Sequence, residues 1–319
     1  SQIVWMSHLE NITTIYNYYH CASKGKNMSQ QSVTIPGHLV LDPEECNKGG
    51  AQEVEAFYRA FAIRKVGYDI PIPQNYTQGV NQVRQTGYTI LKNVFDKDLL
   101  LKLKDEMEGC IEQGGDNLNV NDDYYATVEQ PMMRCPSAVQ IAFSDLVRDF
   151  STEYFEVQPA IGTFNLRKSR LNESESHAFN NHGNLFYHYD NNSPHFLKFF
   201  FYLNDVDLNG GPFTYVIGSH KEKFKGWKLS KRFSDEHIER VYGKDRIKHL
   251  TANLGDVIVA NTRGIHKGTK TVDKERNMYT VDVVIHPENW QRPNFKMHQD
   301  DFDSLDENVK PFADFLVKV

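Results

Sequence analysis

The sequence predicts a mostly β fold with peripheral helices, in which an antiparallel sandwich or barrel occupies the second half of the chain. From about residue 158 onward, short alternating segments follow one another with turn residues between them. Aromatic residues, which favour pleated and half-buried surfaces, make up 12% of the 319 residues. Helical spacing is concentrated before residue 158, with a single helical insertion after it.

Helix signals occur at four places. A helical pattern covers 49–65, and the proline-containing stretch 67–76 that follows reads as an extended linker. Asp96 is a candidate N-cap for a helix that ends at Gly114. One helix is predicted over 137–155, and Ser234 is a candidate cap for a helix within 233–243.

Strand signals come in short segments. They cover 85–95 (entered through Gly87), 160–170, 184–190, 195–206, 211–219, 255–262 and 277–285. Residues 1–77 are interpreted as a helical or irregular N-terminal extension, and 78–319 as the domain that carries the function.

Composition narrows the class of function. The formal net charge of −6 lacks the basic footprint of a nucleic-acid binder, so a small-molecule substrate is expected. No stretch approaches the roughly 20 apolar residues of a membrane span, and the N-terminus lacks the features of a signal peptide. A cytoplasmic protein whose four cysteines are free thiols is therefore expected, with two disulfides as the alternative.

His188 and Asp190 interrupt an aromatic segment that reads as a buried strand. Residues i and i+2 of a strand point to the same face, so the two side chains should converge. A divalent cation would satisfy both groups, and His266, near the end of the apolar run 257–260, is the best third ligand. Two histidines and one carboxylate make the facial triad of non-haem Fe(II) oxygenases. The pattern alone is equally compatible with a hydrogen-bonded structural pair.

Arg276 follows His266 by ten residues and opens the last strand segment. A connecting loop between them would place Arg276 on an antiparallel strand beside the one that carries His266. A guanidinium there can hold a carboxylate in bidentate fashion. The sequence thus predicts both a metal site and a site for an acidic cosubstrate.

Three other pairs share the spacing of His188 and Asp190. They are His237/Glu239 on a predicted helix, His286/Glu288 around a proline at the end of a strand, and His298/Asp300 in a polar C-terminal stretch. Each is interpreted as a solvated surface pair.

Several separate segments resemble the phytanoyl-CoA dioxygenase family of Fe(II)/2-oxoglutarate oxygenases. They are HFLKFFFYLNDVDLNGGPFTYVIGSHK (195–221), GDVIVANTRGIHKG (255–268) and QTGYTILKNVFDKDLLLKLKDEME (85–108). The resemblance spans about 80–290. It implies a double-stranded β-helix (a cupin-like jelly roll) with the N-terminal helices outside. It also implies iron at His188, Asp190 and His266 and the distal carboxylate of 2-oxoglutarate at Arg276.

The resemblance extends to the pocket wall. Phe200 matches a position where many members place an aromatic ring against the cosubstrate, and alternation puts Lys198 and Tyr202 on the same face. Core filling is an equal alternative for Phe200 and Tyr202. Thr269 is a candidate donor to the cosubstrate, with a turn role as the alternative.

Other polar residues near these motifs receive structural interpretations. His220 is read as structural, His182 and His195 as loop residues, and Arg167 and Arg170 as part of a solvated surface turn, with an acidic substrate as the alternative partner of the arginines.

The predicted function is that of a dioxygenase that uses Fe(II), 2-oxoglutarate and O2. Halogenating relatives replace the triad carboxylate with Gly or Ala, and this chain keeps Asp190, so hydroxylation is the expected outcome. The alternatives are a non-catalytic jelly-roll binding protein with a vestigial metal site, and a cupin-type Zn or Mn enzyme. The sequence leaves open the primary substrate, the choice among hydroxylation, desaturation and cyclisation, and the oligomeric state.

Overall fold

The fold is described from a computed structural model. It covers residues 33–35, 39–41, 61, 64–65, 67–68, 70–114, 118–119, 124–171, 183–190, 195–225, 232–286 and 295–319. Most of the helix predicted over 49–65 lies outside these ranges, as do His182, Cys21, Cys46 and Glu288. The domain boundary near residue 77 stays a prediction.

Strands dominate the second half of the described chain. The strands are β1 Val33–Ile35, β2 Leu39–Leu41, β3 Tyr88–Leu91, β4 Leu118–Asn119, β5 Tyr125–Val128, β6 Ala160–Ser169, β7 Phe196–Tyr202, β8 Phe213–Val216, β9 Ile247–Leu250, β10 Val257–Ala260, β11 His266–Gly268, β12 Arg276–Val284, β13 Lys296–Met297 and β14 Val317–Lys318. The α-helices are α1 Thr77–Thr86, α2 Lys97–Gln113, α3 Pro136–Ala142, α4 Asp145–Phe155, α5 Asp235–Tyr242 and α6 Gln299–Asp303.

Two antiparallel sheets face each other. The large sheet has the order β3-β10-β7-β12-β6-β5-β4, and the small sheet has the order β11-β8-β9. Side chains from both sheets, such as Phe200 and Phe213, pack into one apolar cluster between them. The mostly β fold with peripheral helices and a jelly-roll core is therefore confirmed.

The outer face of the large sheet carries the main core. Phe199 and Phe201 on β7 are fully buried there, and Phe150 of α4 meets Phe199 edge-on with ring centroids 5.8 Å apart. The helices α1–α4 thereby cover the sheet with a continuous apolar layer. Burial of this apolar surface is the main source of stability.

The helix boundaries follow local signals. The carboxylate of Asp96 accepts hydrogen bonds from the backbone of Asp98 and Leu99, so the predicted cap of α2 is confirmed. The Ser234 cap of α5 is confirmed in the same way by its contact with His237 N. Gly87 ends α1 with φ of 98°, and the ring of Tyr215 leaves no room for a Cβ there.

The single helix predicted over 137–155 is wrong. The chain forms two helices, α3 and α4, because Ser144 adopts an extended conformation (ψ 152°) between them. The Ser144 hydroxyl donates to the carbonyl of Ile141 at the end of α3, which satisfies a terminal acceptor. The break lets each short helix present its own apolar face to the sheet.

Several elements escaped the sequence prediction. Helix α1 and strands β4, β5, β9 and β11 were not predicted, and the segment 184–190 forms a 3-10 turn (Gly183–Leu185) and isolated bridges instead of a regular strand. Buried Val80 and Val83 and the terminal Gly87 are the signals that could have found α1.

Two further findings concern the cysteines and the length of the helices. The thiols of Cys110 and Cys135 are buried and free, with their sulfur atoms 3.9 Å apart. Of the helices that the structure describes, none is long and apolar enough to cross a bilayer.

Candidate functional site

The two predicted histidine ligands come together through the backbone. The His188 amide donates to the His266 carbonyl and the His266 amide donates back, both at 2.8 Å. This antiparallel bridge adds the segment of His188 to the edge of the small sheet beside β11. The two imidazole centroids lie 4.3 Å apart.

Asp190 completes the cluster from the same segment as His188. Its amide donates to the Thr262 carbonyl at 2.9 Å, which directs the carboxylate toward both imidazoles. Asp190 Oδ1 lies 3.9 Å from His188 Nε2, and Asp190 Oδ2 lies 3.7 Å from His266 Nε2. One ligand atom from each residue lies within 4.8 Å of the others, and within the described ranges this is the single such group of His, Cys, Asp or Glu.

Hydrogen bonds at Nδ1 fix the orientation and the protonation of both imidazoles. His188 Nδ1 lies 2.8 Å from the Phe186 carbonyl, and His266 Nδ1 lies 2.8 Å from the Gly264 carbonyl. Each carbonyl accepts the Nδ1 proton, which leaves the Nε2 lone pair for a metal. Burial, aided by the neighbouring His188, lowers the pKa of His266 to about 3. Burial also lowers the pKa of His188, so both rings are neutral at pH 7.

Lys198 lies between two carboxylates beside the three candidate metal ligands. Its ammonium is 3.2 Å from Asp190 Oδ2 and 3.4 Å from Asp282 Oδ2. Burial opposes ionisation of Asp190, but Lys198 and then the two imidazoles outweigh it and hold the Asp190 pKa below its usual range. Burial raises the pKa of Asp282, which lies deeper in the sheet.

Arg276 lies at the start of β12 and is buried, with 3% of its surface exposed. The prediction that its strand lies beside the one that carries His266 is wrong, because β12 pairs with β6 and β7 in the large sheet and β11 belongs to the small sheet. Its Nη1 donates to the Gly211 carbonyl and its Nη2 donates to Ser169 Oγ at 3.2 Å. Its Nε is buried and has no hydrogen-bond partner. A buried guanidinium with an unused donor matches the need of a bound carboxylate.

One cavity joins the triad to Arg276. It has a volume of about 150 Å³, roughly ten times what one water needs. Its wall is formed by Tyr125, Thr163, Asn165, Arg167, Asn184, His188, Asp190, Lys198, Phe200, Phe213, His266, Gly268, Arg276, Met278, Thr280 and Asp282. The structure therefore brings together the three metal-ligand candidates, Arg276, Lys198 and Phe200.

Tyr202 and Thr269 lie behind this wall. The Tyr202 hydroxyl accepts a hydrogen bond from the Phe213 amide at 2.9 Å and lies 3.5 Å from the Leu250 carbonyl. The Thr269 hydroxyl lies 2.8 Å from that of Thr214. Both hydroxyls are engaged with the small sheet.

The sequence reasoning did not select several wall residues. Asp282 follows Arg276 at an even spacing on β12, so period-2 alternation from Arg276 could have found it. Tyr125, Thr163 and Asn165 lie on β5 and β6. Their placement depends on pairing between distant strands, which leaves no local signal.

Four other described histidines lie away from this cavity. His195 is buried against the rings of Tyr154 and Phe155, with centroids 5.2 and 5.0 Å away. His220 lies 3.2 Å from the Arg84 carbonyl. His237 lies on α5, as predicted, and His298 contacts the Met133 carbonyl.

A family model supplies the decisive comparison. The model for phytanoyl-CoA dioxygenase (PhyH) matches residues 83–278, which is more than half of the chain and includes the triad and Arg276. This chain belongs to the phytanoyl-CoA dioxygenase family. The family resemblance predicted from the sequence is thus confirmed, and membership places the chain among the iron- and 2-oxoglutarate-dependent enzymes. No curated protein gave a match.

Several solved structures are similar to this chain, and one of them, with a TM-score above 0.5, shares its fold. The epimerase SnoN in complex with Fe3+, alpha ketoglutarate and nogalamycin RO has a TM-score of 0.52 and 13% identity, and covers 65% of this chain and 82% of its own. HygX from Streptomyces hygroscopicus with nickel, 2-oxoglutarate and hygromycin B has a TM-score of 0.49 and 14% identity, over 69% and 90% of the two chains. The carbocyclase SnoK has a TM-score of 0.49 and 15% identity, over 67% and 87%.

Proposed function

We propose that this protein is an Fe(II)- and 2-oxoglutarate-dependent dioxygenase that hydroxylates an unactivated C–H bond of a small-molecule substrate. The observation that carries the proposal is the presence, in one cavity, of two neutral imidazoles with free Nε2 atoms, one ionised carboxylate and a buried guanidinium with an unused donor. The triad suits a metal that keeps open coordination positions, and the guanidinium suits a carboxylate.

The triad fits Fe(II) by its chemistry. His188 and His266 would each bind through Nε2, and Asp190 through one carboxylate oxygen. When bound, iron with 2-oxoglutarate and O2 supplies the oxidising power that removes hydrogen from carbon, while 2-oxoglutarate becomes succinate and CO2. The solved structure of SnoN with Fe3+ and alpha ketoglutarate, which has the same fold, is consistent with this assignment.

The surrounding residues orient the reactants. Arg276 would hold the distal carboxylate of 2-oxoglutarate, and Phe200 would pack against its methylene groups. Lys198 keeps the Asp190 carboxylate in place for the metal. Tyr202 and Thr269 would support the cosubstrate indirectly, by anchoring β8 and β11.

A spectroscopic and a chemical readout test the proposal. Anaerobic addition of Fe(II) and 2-oxoglutarate should give a weak visible charge-transfer band, and admission of O2 should produce succinate. Substitution His266→Ala should abolish both signals, while the matched control His237→Ala on α5 should keep them. Wild-type succinate formation in His266→Ala would refute the triad.

The alternative functions are outcomes of the same experiments. A non-catalytic binding protein predicts no band and no succinate. A cupin-type Zn or Mn enzyme has no need of a 2-oxoglutarate anchor, so Arg276→Ala would leave its activity unchanged.

A further inference from the structure

We infer that Arg167 binds a carboxylate group of the primary substrate, so that the substrate of this enzyme is a carboxylic acid. The inference rests on the proposed function, because it requires that 2-oxoglutarate occupies Arg276. Two guanidiniums, those of Arg167 and Arg276, line the same cavity. The cosubstrate needs only one of them.

Strand register places the two arginines close together on one face. In the pairing of β6 with β12, Ser169 lies opposite Arg276 and Arg167 lies opposite Met278. Side chains two residues apart on neighbouring strands share a face and lie diagonally adjacent. Arg167 therefore lies on the strand next to that of Arg276. It is offset by two residues along the strand, toward the middle of the cavity.

Neither guanidinium has an acidic partner among the residues that the structure describes. Arg167 Nε donates to the side-chain oxygen of Asn165 at 3.0 Å, and its guanidinium carbon lies 4.6 Å from the centre of the Tyr125 ring. The contacts of Arg276 are the neutral Gly211 carbonyl and Ser169 hydroxyl. Among the described residues, this end of the cavity thus holds two positive charges whose hydrogen-bond partners are neutral groups.

Three other buried or half-buried cations have carboxylate partners. Arg64 lies 3.4 Å from Asp314, Arg84 lies 3.2 Å from Glu156, and Lys198 contacts two carboxylates. A buried charge without a counter-ion is unfavourable, and two like charges side by side are more so. The contrast indicates that this end of the cavity is built to receive more than one anionic group.

The sheet order separates the two anion positions. Lys198 on β7 contacts Asp190, so the line from the triad to Arg276 runs over β7 and β12. Strand β6 lies on the other side of β12. The polar row Thr163, Asn165 and Arg167 therefore forms a wall beside the cosubstrate, where a substrate would lie.

The register also sets the reach of the substrate. Lys198 and Phe200, which mark the triad end, align through Asp282 and Thr280 with Thr163 and Asn165 on β6. Arg167 is two to four residues further along that strand, or about 7–14 Å at the usual rise of a strand. The oxidised carbon is therefore several bonds away from the substrate carboxylate.

The test uses hexanoate and its neutral match hexanamide as probes. Each is titrated by calorimetry, without O2, into protein loaded with Fe(II) and saturating 2-oxoglutarate. Hexanoate should bind at least tenfold more tightly than hexanamide to the wild type. In Arg167→Gln the preference should fall below threefold, and Arg167→Lys, which keeps the charge, should restore part of it.

The matched control is Arg170→Gln, which changes an arginine three positions away that does not line the cavity. It should keep the wild-type preference. The charge-transfer band of bound 2-oxoglutarate is read in every variant, and its retention shows that the site is folded.

Two results would overturn the inference. One is an equal affinity of the two probes for the wild type, including no binding of either. The other is a tenfold or greater loss of 2-oxoglutarate affinity in Arg167→Gln, which would assign Arg167 to the cosubstrate anchor. Absence of the 2-oxoglutarate band in the wild type would instead refute the proposed function, so the two failures are distinguishable.

Discussion

The two faces of strands β7 and β12 differ sharply although the same strands make both. On the outer face, Phe199 and Val281 are fully buried against the helix layer. On the inner face, Lys198 and Asp282 form a charged pair beside the candidate metal site. Because successive residues of a strand point to opposite faces, adjacent positions serve stability and chemistry separately. Substitutions should therefore affect one property and spare the other.

The largest expected effect is on the inner face. Asp190→Ala removes the only carboxylate of the triad, and iron-dependent succinate formation should fall to background. The loss should exceed the roughly 10–100-fold that removal of an outer partner of a metal ligand typically causes. Activity assays with added Fe(II) measure it, and thermal unfolding of the metal-free protein should show a folded variant. Residual activity above one tenth of the wild type would contradict the role of Asp190.

Adjacent phenylalanines provide the sharpest test of the two faces. Phe199→Ala should lower the free energy of unfolding by about 3–5 kcal/mol, because it leaves a cavity in the closed outer core. Phe200→Ala should cost less, about 1.5–3 kcal/mol, because its ring borders a cavity that already exists and mainly the transfer free energy of the ring is lost.

Binding should show the opposite order. Phe200→Ala should weaken 2-oxoglutarate binding, and folded Phe199→Ala should bind it normally. Urea unfolding and the charge-transfer band measure the two properties. Equal effects of the two substitutions on both would show that the faces are not independent.

Arg276→Gln should have an intermediate effect. Loss of a charge-assisted hydrogen bond of about 1.5–3 kcal/mol raises the 2-oxoglutarate Kd by about 10–100-fold. Titration of the charge-transfer band measures this Kd. Arg240→Gln, on the exposed helix α5, is the control and should leave the Kd unchanged. A shift below threefold in Arg276→Gln would place the cosubstrate anchor elsewhere.

The smallest expected effect is a pH dependence of stability at the contact between helix α1 and the turn after β8. His220, in the turn after β8, lies 3.2 Å from the Arg84 carbonyl of α1, and its Nδ1 is buried without a partner. Burial lowers the pKa of His220 to about 4. The unfolded chain, with a pKa near 6.5, binds the proton first, so stability is lost as pH falls from about 6.5 toward 4.

The predicted loss between pH 8 and 5 is about 2 kcal/mol. His220→Gln keeps a donor for the Arg84 carbonyl and cannot titrate, so its stability should depend less on pH by that amount. Urea unfolding at a series of pH values compares the two proteins in the same metal state. Parallel pH profiles would show that His220 does not contribute.

Much of the architecture was predictable from local signals. Alternation identified β6, β7, β8, β10 and β12, and the capping residues Asp96 and Ser234 identified α2 and α5. The prediction failed where a short segment depends on its neighbours. Strands β9 and β11 have four and three residues, and pairing with β8 defines them.

The candidate site divides in the same way. The spacing of His188 and Asp190 indicated a convergent pair, and the structure joins it to His266 through backbone hydrogen bonds. One of the two carboxylates that contact Lys198, in contrast, is that of Asp282, 84 positions later, and only the β7–β12 register brings them together. No pattern within a single strand contains that information.

The sequence by itself determined the family, the β-rich fold and the three candidate metal ligands, because alternation, capping and motif order are local properties of the chain. Tertiary structure alone decided that Arg167 lies in the cavity beside Arg276 instead of on a solvated turn. The reason is physical: the face of a residue follows from its own strand, but its neighbours follow from which distant strand pairs with it and in what register.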